Sequence, residues 1–327
     1  MLLQPQNQEQ SVFDMIRTGF DTVCRQARHV RLREDRIAAY ADGLRKLDER
    51  QVFDGKHHFS GTMEDTACYV LALDCMNFGS GYDMLLVEEG WEQVDHSLYY
   101  TISTRLKHYF DENGAMRAAD MAEISPRQCA AILGLDEKGT FSFDFARQCA
   151  LSLRGMGTKI MADHGGSFHD FVDSMQGAAD RMVRALVQMP GFDDSHNYHG
   201  AKICFFKRAQ ITAADLHLAY GRMGVDLFHD INHLTMFPDN AVPHVLRTDG
   251  ILDYMPPLAE KIERGVELPS GSEEEIEIRA CAGKAVELIA LHKGMIAMDV
   301  DHILWHRGTD NPLYRDKPTH RTLSVFY

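Results

Sequence analysis

The sequence has no C-x-x-C pair, no Walker loop, no G-x-G-x-x-G fingerprint and no apolar run of the ~18 residues a membrane span needs. These absences remove the usual signals for structural zinc, dithiol redox work, ATP or NAD binding and a transmembrane helix. Basic side chains are scarce too: 34 Lys and Arg stand against 48 Asp and Glu, a formal net charge of -14 in 327 residues. So acidic a chain repels a polyphosphate backbone, and a DNA or RNA partner is not expected. A small anionic ligand remains open, because a few cations in one pocket hold a phosphate whatever the global charge. The seven cysteines (Cys24, Cys68, Cys75, Cys129, Cys149, Cys204, Cys281) are scattered and odd in number, as expected of reduced, mostly buried thiols. The first residues, MLLQPQNQEQ, contain neither a basic region nor an apolar stretch, so the expectation is a soluble, cytoplasmic protein.

What is present is helical periodicity. A hydrophobic fraction of 45% is ample for a buried core. Ile37, Tyr40, Ala41, Leu44 and Leu47 keep a 3.6-residue period and predict a helix over 35–50. Ser125-Pro126 reads as an N-cap with proline in the first turn, opening a helix that ends near Gly134. Further helices are expected over 144–162, stopping at Gly165-Gly166, and over 168–189, stopping at Pro190-Gly191. Ser272-x-x-Glu275 is a capping box before another long helix. Strand candidates are short: 141–145, 201–206 and 322–327. With no repeat and no long linker, the expectation is an all-α, predominantly helical chain: a frayed start over 1–10, then one compact domain over 11–327.

Chemistry concentrates in residues 205–250. A helix-like stretch 209–220 is broken at Gly221 and Gly224, and a second helix starts at Asp239, with Pro243 in its first turn. A carboxylate at that start accepts backbone N–H bonds at the positive end of the helix dipole, which favours the ionised form. It is either a plain N-cap or a fixed negative charge suited to stabilising the cationic sugar of a breaking glycosidic bond. Asp230, nine positions earlier, is a second carboxylate candidate, for water activation or merely for a turn. His229 and His233 flank it at i,i+4 and suggest a metal-dependent hydrolase or phosphatase, although two histidines and an aspartate are an incomplete signature. Lys207 and Arg208 form a basic pair able to hold a phosphate, and Phe237 is a ring able to stack on a base.

Taken together, FKRAQI (206–211), LTMFPDNAVPHVL (234–246), EIEIRACAGKAVELI (275–289), HILW (302–305), HRT (320–322) and GGSF (165–168) resemble the queuosine salvage protein family. ARHVRL (27–32) and ALDCMNF (72–78) extend the resemblance upstream. It implies an all-helical N-glycosidase related to helix-hairpin-helix DNA glycosylases, releasing queuine from queuosine 5′-phosphate for tRNA modification, with no metal and no cofactor. By the same resemblance 205–222 stands for the hairpin region and Asp239 for the catalytic aspartate. Asn77, Phe78, His29, Asp301 and Trp305, which lie in or beside matching motifs, join Phe237, Lys207 and Arg208 as substrate-binding candidates. Where bifunctional DNA glycosylases carry an attacking lysine, this chain offers Gln210 or Ile211, which implies hydrolysis without a Schiff base. One departure follows Phe78: Gly79-Ser80-Gly81-Tyr82 stands where the family usually has bulky aromatics.

Overall fold

The computed structural model describes residues 10–45 and 53–327. The start expected to fray (1–9) and Leu47 with the end of the helix expected over 35–50 lie outside those residues. Among the described residues sixteen α-helices dominate four strands of three or four residues each. The helices run α1 (Val12–Gln26), α2 (Glu34–Gly43), α3 (Met63–Asp74), α4 (Tyr82–Glu88), α5 (Leu98–Asn113), α6 (Ala118–Ala122), α7 (Pro126–Leu133) and α8 (Thr140–His164). They continue as α9 (Phe168–Asp173), α10 (Ala179–Leu186), α11 (Lys207–Gly221), α12 (Ala241–Thr248), α13 (Pro256–Glu263), α14 (Glu273–Lys293), α15 (Ala297–Asp310) and α16 (Pro312–Arg315). Strands β1 (Val30–Leu32) and β4 (Leu252–Tyr254) pair antiparallel, as do β2 (Ser195–Tyr198) and β3 (Ala201–Cys204). No helix among the described residues is long and apolar enough to cross a membrane.

The caps explain most boundaries. Ser125 accepts the Gln128 N–H, proline sits in the first turn of α7, and Gly134 closes it in the left-handed region. The helix expected over 168–189 is instead two, α9 and α10. Gln176 (φ 52°) and Gly177 (φ 70°) turn left-handed between them, which no continuous helix tolerates. The apolar stretch 141–145 is not a strand but the first turns of α8, where Glu89 accepts the N–H groups of Phe141 and Ser142. Residues 322–327 form no strand either; they run as an irregular tail along residues 79–81, where the Gly79 and Ser80 N–H groups donate to the Tyr327 carbonyl. Gly81 makes that approach possible, since a Cβ there would stand 2.5 Å from the Leu323 Cα. The segment 205–222 is one continuous helix, α11, followed by an irregular connection over 222–240, so it contains no hairpin of its own.

Two apolar clusters share α14. Ile276 and Ala280 belong to the larger one with Phe20, Tyr69 and Phe145; Ile278, Ala282 and Val286 belong to the other, with Ile37, Val245 and Leu304. A helix buried on both sides needs apolar residues all round rather than one stripe, and its closest neighbour comes very near. A Cβ on Gly283 would meet the Phe20 ring at 2.4 Å, so α1 and α14 pack only with glycine there.

The polar residues of α14 are buried as well. Ser272 caps the helix, but Glu275 does not complete the capping box: it accepts the Gly271 N–H and binds Arg279 at 2.9 Å. Glu277 accepts the N–H groups of Arg28, His29 and Val30 and the Tyr198 hydroxyl, which ties β1 and β2 to the helix. Arg279 is fully buried between Asp194 and Glu275, with the Phe205 ring 4.0 Å from its guanidinium carbon on one contact and the Tyr327 ring 4.2 Å on another. Removing such a cation leaves two buried carboxylates without compensation, at a cost of about 3–5 kcal/mol. Arg279→Met is therefore expected to lower the urea unfolding free energy by that amount; a loss below about 1 kcal/mol would contradict this account.

Candidate active site

The N-terminal turns of α11 and α12, the middle of α15, residues 77–80, residues 96–100 and the segment 314–319 surround a cavity of about 240 Å³ that opens to solvent. Lys207, Ile211 and Asp215 line it from α11 at i, i+4 and i+8, one face of the helix. Lys207 is buried, its Nζ 3.4 Å from Asn77 Oδ1 and 3.5 Å from the Asn77 carbonyl. Asn77 is fixed in turn by donating to Asp74 at 3.1 Å. Burial pulls the Lys207 pKa down, while the charges of Asp239 and Asp74 resist that fall.

Asp239 stands two residues before α12, and its Oδ1 accepts the N–H groups of Ala241 (2.8 Å) and Val242 (3.3 Å). The capping geometry is the one the sequence suggests; the electrostatics are more divided. Burial pushes the Asp239 pKa up, and the Lys207 charge and the two helix amides pull it back. The backbone leading to it is held on both sides: Asp301 Oδ1 accepts the Phe237 N–H at 2.9 Å, and Arg279 Nε donates to the Pro238 carbonyl at 2.9 Å. Asp301 is itself pushed well above the ordinary carboxylate range, by burial first and by the Asp239 charge second. Asp215 is pushed up in the same way, by burial and then by Asp74. Four carboxyl groups thus line the pocket, Asp83 the fourth, and Lys207 and two amides favour ionisation at Asp239 in particular.

Aromatic rings make the remaining walls. Phe237 lies 5.8 Å from the His302 ring, and Phe78 lies 5.0 Å from Phe145. Trp305 meets Tyr99 at 5.7 Å and Tyr100 at 5.5 Å, both nearly perpendicular, so three rings form a corner. At the mouth stand Arg315 and Lys317. Sequence reasoning missed Asp215, Tyr99, Tyr100 and these two cations. The i+8 spacing from Lys207 was a usable signal for Asp215; nothing local marks the tyrosines, which come from a distant part of the chain.

Comparison with known proteins gives a consistent answer. Residues 57–327 match the family model described as queuosine salvage protein. A protein of Sphaerobacter thermophilus named queuosine 5′-phosphate N-glycosylase/hydrolase is 32% identical over 321 residues, covering 93% of this chain and 95% of its own. A Dictyostelium discoideum protein of the same name is 33% identical over 271 residues (81% of this chain, 79% of its own), and one of Bos taurus is 29% identical over 286 residues (82% and 83%).

The structure brings Asn77, Phe78, Lys207, Phe237, Asp239, Asp301 and Trp305 to one pocket and leaves Arg208, His29 and Asp230 outside it. Arg208 does not face a ligand: it is buried between the Phe78 and Phe192 rings and spends its guanidinium on the carbonyls of Asp74, Cys75, Gly191 and Val325 and on the Ser152 hydroxyl. His29 lies by Glu273, 3.7 Å away, on the face held by Glu277. Asp230 accepts the N–H groups of Ala179 and Asp180 and so caps α10. With Asp230 so engaged, the triad of His229, Asp230 and His233 is not assembled, and no group of three or more His, Cys, Asp or Glu among the described residues is placed to hold a metal ion. Asp230→Ala is expected to lower unfolding free energy by about 1 kcal/mol, the usual worth of an N-cap, in a urea titration; an unchanged midpoint would contradict the capping role.

Proposed function

The chain belongs to the queuosine salvage protein family, and from that membership we propose that it is an N-glycosidase that hydrolyses queuosine 5′-phosphate and releases queuine for tRNA modification. The observation that supports this most is Asp239: a carboxylate fixed by two helix amides, beside a buried lysine, in a pocket walled by aromatic rings. Departure of the base breaks the C1′–N9 bond, leaves positive charge on C1′ and O4′, and puts the bonding pair on N9. Asp239 supplies preorganised negative charge for that cation. A water oxygen then bonds C1′ and loses a proton while the departing base takes one up, so the products are queuine and ribose 5-phosphate.

The 7-deazaguanine has carbon where guanine has N7, so the departing base cannot be protonated at that position. Burial and the neighbouring Asp239 charge raise the Asp301 pKa, which suits it to offer a proton to the pyrrole or pyrimidine nitrogens instead. Lys207 sits too deep to serve as the phosphate clamp expected from the sequence; beside Asn77 it suits the ribose and balances Asp239, while Arg315 and Lys317 at the mouth suit the 5′-phosphate. The relation to helix-hairpin-helix glycosylases rests on the family resemblance and on an aspartate just before α12, not on a hairpin within 205–222.

At the position of the attacking lysine, Ile211 presents an apolar side chain to the cavity and Gln210 is turned away to Thr235 and the Phe205 carbonyl. Borohydride added during turnover is therefore expected to trap no protein–sugar adduct by mass spectrometry; a reduced adduct on Lys207 would overturn direct hydrolysis. Asp239→Asn keeps a competent cap and is expected to shift stability by at most about 1 kcal/mol. It removes the charge facing C1′, so single-turnover release of queuine from queuosine 5′-phosphate should fall by about a hundredfold or more. Release at the wild-type rate would refute the assignment.

A further inference from the structure

Asp215 is a buried carboxyl group with one long hydrogen bond. It is 4% exposed, and the hydrogen-bonding group that the structure sets beside it is the Tyr99 hydroxyl, 3.5 Å away. The proton of that hydroxyl has a nearer acceptor. His58 Nδ1 lies 3.0 Å from the Asp54 backbone carbonyl, which only accepts, so Nδ1 carries the ring hydrogen. Burial keeps His58 neutral, its pKa pulled down to about 4, so Nε2 is bare and accepts the Tyr99 O–H at 2.8 Å. With His58 Nε2 the nearer acceptor, the Tyr99 hydroxyl gives Asp215 only a weak bond. Of the charges facing Asp215, Asp74 opposes its ionisation and Lys207 favours it. Lys207 is two helical turns away, about 12 Å along α11.

Next to this carboxyl group lies the corner of Tyr99, Tyr100 and Trp305, with ring centroids 5.5–5.7 Å apart. A carboxylate short of a donor beside aromatic faces is a receptor for a cation that carries N–H groups. Queuine has such a group: the secondary amine between the methylene on the deazapurine and the cyclopentenediol, protonated at neutral pH. We propose that Asp215, with the aromatic corner beside it, is the subsite for this ammonium, and that it selects queuosine 5′-phosphate over purine nucleotides lacking the amine. The assignment rests on the queuosine reading above. It also accounts for the separation along α11: the sugar end of the substrate lies by Lys207 and Asp239, and the amine end lies toward Asp215, with the flat base over Ile211 between them.

Two comparisons test it. Calorimetric titration of the wild-type protein uses queuine, 7-deazaguanine and an ether analogue of queuine with oxygen in place of the amine nitrogen. Queuine is expected to bind about thirtyfold or more tightly than the ether, the usual scale for a buried charged pair losing one partner. Asp215→Asn should abolish that preference and leave 7-deazaguanine affinity unchanged. Equal binding of queuine and ether by the wild type, or no queuine binding, overturns the subsite however the variant folds. Equal losses for queuine and 7-deazaguanine in the variant would overturn it too, by showing a structural role. Base release from queuosine 5′-phosphate is followed in parallel: no release sinks the enzymatic reading, whereas release without preference for the amine sinks the subsite alone.

Discussion

The arrangement depends on one buried cation, Arg279. Its guanidinium is neutralised by Asp194 and Glu275, faces Phe205 and Tyr327, and donates through Nε to the Pro238 carbonyl. An isolated charge at that depth would cost several kcal/mol; two carboxylates and a carbonyl together make it tolerable and fix its geometry. Its consequence is local. Pro238 is the residue between Phe237 and Asp239, so the same cation that joins α14 to the loop at Asp194 also sets where the pocket's principal ring and carboxylate stand. Asp301 holds the other side through the Phe237 N–H.

Inside the pocket, electrostatics divide similar groups into different roles. Asp239, Asp301 and Asp215 are all buried, and burial alone would make each a neutral acid. Asp239 receives two helix amides and the Lys207 charge; Asp301 receives one amide and the repulsion of Asp239; Asp215 receives no amide and only the long Tyr99 hydroxyl bond. Among these three carboxyls Lys207 is the one buried cation, with Arg315 and Lys317 out at the mouth, so the deep part of the cavity is short of positive charge. A substrate that carries its own ammonium, and that develops a second positive centre at C1′, matches that deficit at both ends.

Much of the scaffold was legible in the sequence because helix boundaries are set by local chemistry. Ser125-Pro126 with Gly134, and Ser272 before α14, are readable without any tertiary contact. The errors arose where tertiary contacts decide. The Phe-rich stretch 141–145 has strand-like alternation but is captured by Glu89 at the start of α8, and the 168–189 helix is divided by a left-handed Gln176-Gly177 turn that no motif announces. Within the site, Asp239 could be found because a cap lies next to the helix it serves. Asp230 looked equivalent for the same reason, but the helix it caps, α10, lies some fifty residues earlier in the chain. Arg208 shows the limit most clearly: beside Lys207 in sequence it reads as half of a phosphate clamp, yet neighbouring residues on a helix point about 100° apart, and it faces the core.

The central claim is that residue 239 faces the sugar carbon of a queuosine nucleotide in this pocket. A crystal structure of the Asp239→Asn protein with intact queuosine 5′-phosphate tests it most directly. The account predicts C1′ against the residue 239 side chain, the deazapurine over Ile211 and beside Phe237, and the phosphate toward Arg315 and Lys317. A nucleotide bound in the pocket with C1′ away from residue 239, or bound outside the pocket altogether, would contradict it.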